Sequence, residues 1–402
     1  MVSIASRLRG QAVLLGPAFV AAIAYVDPGN VATNTQAGVH YRYLLVWVVV
    51  AANTMAGLVQ YLSAKLGLVT GMSLPEVLRD RLPRGARLAY WAQAEVVAVA
   101  TDLAEVLGGA IALRILFGLP LLLGGVLTGA VSMVLLIVQD RAGQRPFERI
   151  ITGLLLVIAI GFVAGVFVAP PSASGVLGGL LPGFAGRDSV LLSAGMLGAT
   201  VMPHAVYLHS ALARDRFGPA GRARLGTTKA DVGLAMVLAG AVNLAMVLLA
   251  SSALSGHVDG DGNSLDGVHT AVTEVLGGGM ALLFAIGLLA SGLASTAVGC
   301  YAGAVVMEGL LSRRVPLLAR RVATLLPAIV VLAAGADPTR ALVLSQVVLS
   351  FGIPFALIPL VLMTSRRAVM GVDANRPAMR ATAWTIAGIV IALNSALVTL
   401  LL

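Results

Sequence analysis

The chain has 402 residues, 58% hydrophobic and only 11% charged, with a mean hydropathy of +0.95. A soluble domain carries about 25% charged residues, so these figures exclude a soluble enzyme or binding module and leave one membrane domain over residues 1–402. The net charge of +9 does not point to nucleic acid, because the basic residues lie between apolar runs and form no single stripe. With Cys300 as the sole cysteine, no disulfide framework is available.

Apolar runs long enough to span a bilayer, roughly 20 residues each, recur from end to end. We expect eleven spans, near 11–39, 43–67, 88–113, 119–138, 148–169, 188–212, 230–254, 279–311, 319–335, 339–364 and 381–402. Arg7 and Arg9 precede the first run, which continues into a polar break and not into a small-residue cleavage site, so no cleaved signal is expected. Most connections are short. The Pro/Ser/Gly stretch 170–187 and the acidic stretch 255–278, with Asp259, Asp261, Asp266 and Glu274, read as longer loops. Of the 27 Lys and Arg residues, 23 fall on one set of connections; only Arg42, Arg114, Arg187 and Arg340 fall on the other. The positive-inside rule then places the N-terminus in the cytoplasm, and an odd span count places the C-terminus outside.

The first span is interrupted by Asp27-Pro28-Gly29-Asn30 and the sixth by Met202-Pro203-His204, five helices apart. Paired interruptions at corresponding places mark a transporter site at the bilayer midplane. They suggest two inverted halves, about 11–169 and 188–364, with an extra helix at about 381–402. Pro28 and Pro203 remove backbone donors, so carbonyls near Asp27 and Ala199 should lose their helical partners. Asp27 adds a carboxylate at membrane depth, a functional group by default. Asn30 adds an amide oxygen one turn later, and Met202 a thioether. A loop outside the lipid would explain the first break otherwise, but 31–39 alone is too short to span. For Met202 the ordinary alternative is packing. A carboxylate, an amide oxygen, a freed carbonyl and a thioether together suit a transition-metal dication better than Mg(II) or Ca(II).

The third span carries Glu95, Asp102 and Glu105, whose spacings of seven and three place them on one helix face. They read as a proton relay or as a structural ion-pair network. His204 and His209 on the sixth span are further proton groups, since imidazole titrates near neutrality; packing is an equal reading for His209. Gln346 in the tenth span is an amide that would ligate, gate or join helices. Arg320 and Arg321 open the ninth span as flanking charges, or else one reaches in to the third-span carboxylates.

These residues resemble a known family. Asp27-Pro28-Gly29-Asn30, Met202-Pro203-His204 and Thr101-Asp102-Leu103-Ala104-Glu105 look like signatures of the Nramp (natural resistance-associated macrophage protein) divalent metal transporters. Gly299-Cys300-Tyr301-Ala302-Gly303, followed by Val306-Met307-Glu308-Gly309, looks like another. The resemblance implies an all-α, LeuT-type fold with helices 1 and 6 unwound at mid-membrane. It implies symport of Mn(II) or Fe(II) with protons, no enzymatic activity and no resident cofactor. Asp27, Asn30, the Ala199 carbonyl, Met202 and Gln346 are then implied on the metal; His204, Glu105, Asp102, Glu95 and Arg321 on the proton route. Location in the plasma membrane follows from likeness to bacterial members, and a monomer is expected, with metal ion, protons and lipid as its only partners. Gly292 and Cys300 depart from the family, where Gln and Thr are frequent. An organic-substrate symporter of the same fold, for instance for amino acids, is the alternative; Asp27 beside Met202 suits a small anion poorly.

Overall fold

The computed structural model describes residues 16–256 and 264–401. Among them every regular element is helical. The first span is split into α1 (Pro17–Ile23) and α2 (Pro28–Tyr41), and α3 (Val46–Thr70) returns across the membrane. A short α4 (Leu74–Arg79) leads to α5 (Arg84–Phe117), α6 (Leu121–Ala142) and α7 (Gln144–Val168). After α8 (Ala173–Gly179), the sixth span is split into α9 (Arg187–Thr200) and α10 (Pro203–Phe217). There follow α11 (Leu225–Leu249), α12 (Leu265–Leu276), α13 (Gly278–Leu311), α14 (Leu317–Ala333), α15 (Pro338–Ser365) and α16 (Pro377–Leu401). Helices therefore stand at all eleven expected spans. Eight helical stretches are long and apolar enough to cross a membrane on their own, α2 and α3 counting as one continuous stretch.

Two loops are more structured than their composition suggests. The stretch 170–187 holds α8, whose Ser172 hydroxyl accepts the Gly175 N–H at 3.3 Å. In 255–278, Ser264 caps α12 in the same way through the Gly267 N–H at 3.0 Å. The α12 helix buries Leu265, Val268, Ala271 and Val272 on one face, and its Asp266 forms an ion pair with Arg114 at the end of α5. Side-chain caps and one apolar stripe suffice for a short helix. Asp259 and Asp261 lie outside the described residues.

Proline acts in two ways here. At Pro28 and Pro203 it begins a new helix after a break, whereas Pro327 sits inside α14 and Pro354 and Pro359 inside α15 without ending them. Inside a bundle, neighbouring groups can satisfy the freed carbonyls of a continuous helix. The main core cluster draws chiefly on α1, α2, α3, α5, α7, α10, α11, α13 and α15, with three smaller clusters beside it, and α5 is packed most extensively on α13. At that contact Gly292 lies on the backbone of Gly109, where a Cβ would come within 2.8 Å of its nitrogen. The departure at Gly292 is thus a glycine-on-glycine crossing that brings the two helices together. Cys300 is buried, its Sγ 3.9 Å from the Leu317 carbonyl.

Candidate functional site

The first break tightens before it opens. The N–H groups of Ala24, Tyr25 and Val26 bond three residues back, to Ala21, Ala22 and Ile23. Asp27 then adopts an extended conformation, and its carboxylate accepts the Asn30 N–H at 2.7 Å, capping α2. The carbonyls released by the break are met from elsewhere. Tyr25 oxygen accepts the Asn243 amide of α11 at 2.7 Å, and Val26 oxygen accepts the Ser291 hydroxyl of α13 at 2.6 Å. The second carboxylate oxygen of Asp27 is buried and has no hydrogen-bond partner.

At the second break the Ala199 carbonyl would need the N–H of residue 203, which is proline and has none. That oxygen turns to the first break. The end of the Asn30 carboxamide sits 2.7 Å from Asp27 Oδ1 and 2.9 Å from Ala199 O; turned with its nitrogen to the site it donates to both, and turned the other way its nitrogen donates to the Thr200 hydroxyl at 3.2 Å. Met202, fully buried, is the extended residue that precedes α10. Gln346 of α15 closes the group: its amide packs on Gly29, where a Cβ would collide with it, and its Oε1 is buried without a partner. Asp27, Asn30, Ala199, Met202 and Gln346 are all fully buried. Among the described residues no three His, Cys, Asp or Glu side chains gather as a metal site. A dication held here would meet one carboxylate and otherwise neutral donors.

The proton-route candidates form a second column, on α5 and α14. The Arg321 side chain is completely buried; it forms an ion pair with Asp102 and donates Nε to the Ser132 hydroxyl at 2.6 Å. Arg320 pairs with Glu95 at 2.6 Å, nearer solvent, the Glu95 side chain being 24% exposed. Both arginines therefore reach in, and the flanking reading gives way. Glu105 is fully buried, and among the described residues no donor reaches either oxygen in good geometry, the nearby Ser295 hydroxyl turning to the Ser291 carbonyl at 2.8 Å. His204 stands between the two groups. Its Nδ1 is 3.4 Å from the Thr101 hydroxyl, whose proton goes to the Val97 carbonyl at 2.9 Å. Nδ1 is accordingly the donor, which leaves the lone pair on Nε2, a buried atom with no partner.

His209 is not part of this column. Its Nδ1 lies 2.6 Å from Gln60 Oε1, an acceptor, and Gln60 in turn donates to the Tyr25 hydroxyl. The Asn243, Ser291, Thr200 and Gln60 contacts were not foreseen. Their one sequence signal is a polar side chain inside an otherwise apolar span, which many spans carry.

The chain is similar to known transporters over nearly its whole length. The family model for natural resistance-associated macrophage protein-like chains (Nramp) matches residues 18–400. A Mycobacterium tuberculosis (H37Rv) protein named divalent metal cation transporter MntH is 62% identical over 392 residues, covering 96% of this chain and 91% of its own length. The crystal structure of an Eremococcus coleocola manganese transporter, in complex with an aromatic bis-isothiourea substituted compound, superposes with TM-score 0.87 at 30% identity, covering 100% of this chain and 89% of that one. Mhp1, a nucleobase-cation-symport-1 family transporter, shares the fold at TM-score 0.56 and 18% identity, covering 96% and 90%. With its two broken helices and a match from end to end, the chain is a multi-pass membrane protein that belongs to the Nramp family.

Proposed function

We propose that the chain carries divalent transition-metal ions, Mn(II) and Fe(II), across the plasma membrane together with protons, by alternating access. One observation carries the reading: the Asn30 amide bridges the carboxylate of one helix break and the freed carbonyl of the other. With its nitrogen toward these oxygens the amide would tie them together, and a half-turn about its last bond would present Oδ1 to a dication instead. The Thr200 hydroxyl accepts from Nδ2 while donating to the Met196 carbonyl at 2.7 Å, and would have to turn its one proton from Met196 to meet Oδ1. Asp27, Asn30 and Ala199 would supply hard oxygen, Met202 a soft sulfur, and Gln346 a further oxygen from above. The sulfur disfavours Ca(II) and Mg(II), which prefer oxygen. The names of the Mycobacterium and Eremococcus relatives support this substrate class.

Protons would take the other column, from His204 Nε2 past Glu105 to the Asp102–Arg321 and Glu95–Arg320 pairs. Two routes that meet only at His204 would let the cation and the proton travel without mutual repulsion at close range. The lysine and arginine asymmetry supports an N-terminus in the cytoplasm and a C-terminus outside. The matched breaks support two inverted halves, about 11–169 and 188–364. Uptake into proteoliposomes, with and without an inward proton gradient, tests the reading. Mn(II) and Fe(II) uptake should rise with the gradient and resist millimolar Ca(II) and Mg(II). Gradient-independent uptake would remove the proton part, and uptake of an amino acid without metal would remove the whole.

A further inference from the structure

A second cavity, of about 530 Å³, lies at the turn joining α6 to α7, far from the helix breaks. Arg145 and Arg149 line it from the first turns of α7, and Arg216 from the end of α10. The charge there is cancelled only in part. Asp215, also on the wall, accepts Arg214 Nε at 2.6 Å. Arg216 lies 3.6 Å from the buried Glu148, which Gln144 also contacts at 2.6 Å. Arg145 and Arg149 are exposed and form no ion pair among the described residues. The first turn of α7 adds backbone N–H groups that no side chain caps, and it carries no acidic residue. Such a pocket selects an anion, and arginines with helical N–H groups suit a phosphate oxygen set.

The surface leading away from the cavity decides which phosphate. From Arg149, the same face of α7 carries Gly153, Leu156, Ile160 and Phe167, at helical spacings of three, four and seven. These positions are open, with Leu156 50%, Ile160 63% and Phe167 82% exposed. From Arg149 to Ile160 the helix rises about 17 Å, close to half of the roughly 30 Å hydrocarbon thickness of a bilayer, the depth of one leaflet. A soluble phosphate would use the cavity alone. A lipid would use both the cavity and an apolar track of acyl-chain length beginning at its rim.

We propose that this cavity binds the headgroup phosphate of an anionic phospholipid, with one acyl chain lying along the Gly153–Ile160 face. Choline headgroups are disfavoured because their own cation would face Arg145 and Arg149.

The test uses the full-length protein, delipidated in detergent and then given phosphatidylglycerol or phosphatidylcholine of matched chains, with bound lipid read by native mass spectrometry. Phosphatidylglycerol should be retained preferentially. The Arg145→Gln/Arg149→Gln pair should weaken that retention by roughly thirtyfold, two cationic contacts being lost. Arg313→Gln/Arg314→Gln, at another connection, should leave it unchanged. Glycerol phosphate, the headgroup without chains, should compete poorly. Equal retention of both lipids, equal loss in both variant pairs, or full competition by glycerol phosphate would each overturn the proposal; the last would make this a soluble-anion site. Photoactivatable phosphatidylglycerol on the unaltered protein decides the matter even if the arginine variants fail to fold. Cross-links should fall on 142–160, and cross-links confined to other helices would refute the assignment.

Discussion

Replacing Arg321 by Met should be among the most destabilising single changes in this protein. The arginine side chain has no solvent exposure, and its partner Asp102 is 3% exposed at the side chain. Methionine fills much of the same volume, so the chief loss is charge compensation. Removing one partner of a buried ion pair costs about 3–5 kcal/mol, because the other charge is stranded. Arg320→Met should cost less, since Glu95 keeps 24% of its side chain in contact with solvent. Adding Asp102→Asn to Arg321→Met should recover part of the loss, as an uncharged pair needs no counter-charge. The assay is denaturant unfolding of the detergent-purified protein for both single variants and the double, read as a double-mutant cycle. A deficit below about 1 kcal/mol, within the range of exposed ion pairs, or strict additivity in the cycle, would refute the buried-pair account.

Asp27→Ala should abolish Mn(II) uptake in proteoliposomes while the protein elutes as a folded species, since the only formal charge at the two breaks is gone; retained uptake would remove Asp27 from the site. Met202→Ala should weaken Cd(II) most, keep some Mn(II) uptake and let millimolar Ca(II) compete, and unchanged selectivity would show that Met202 only packs. Glu76→Gln tests the cap of α4, where burial raises the Glu76 carboxyl but the Ser73 N–H at 2.6 Å, its hydroxyl at 2.8 Å and the Arg214 guanidinium together hold it below the ordinary range. Its stabilising effect is present above the ordinary carboxylate range and is lost as pH falls through the folded value, so thermal melts of the two proteins should differ at neutral pH and converge in acid; a constant gap would argue against this charge.

Much of the fold was legible because the signals are compositional. Eleven apolar runs fix the spans, and proline beside an ionisable or soft side chain marks both breaks. Asp27 was read as a ligand candidate from its depth alone, and its second role, capping α2 through the Asn30 N–H, follows from the same break. The amide bridge was not legible. Nothing in the spacing of 27, 30 and 199 says that the Asn30 carboxamide spans 2.7 and 2.9 Å to oxygens on two helices. Arg320 and Arg321 show the limit most clearly. Their position at a span end fits the positive-inside rule, and only the packing of α14 against α5 and α6 shows that both turn inward.

The two columns touch through backbone, and this bears on how a cation at one could move a proton at the other. Pro28, which starts α2, packs on Gly108 of α5 so closely that a Cβ there would collide with its ring. One turn away on α5, the Glu105 carboxylate lies against Gly299 of α13, and its carbonyl lies against Gly292. Glycine at 108, 292 and 299 leaves no side chain to absorb a shift between these helices. Packed interiors transmit strain because they have few voids to take it up. A displacement of Pro28, such as a dication drawn onto Asp27 would cause, therefore passes to α5 at the turn that carries Glu105. In the proposed proton-coupled cycle, coupling would then need no hydrogen-bonded wire between Asp27 and Glu105, and the intervening glycines would serve it by holding the helices in direct contact.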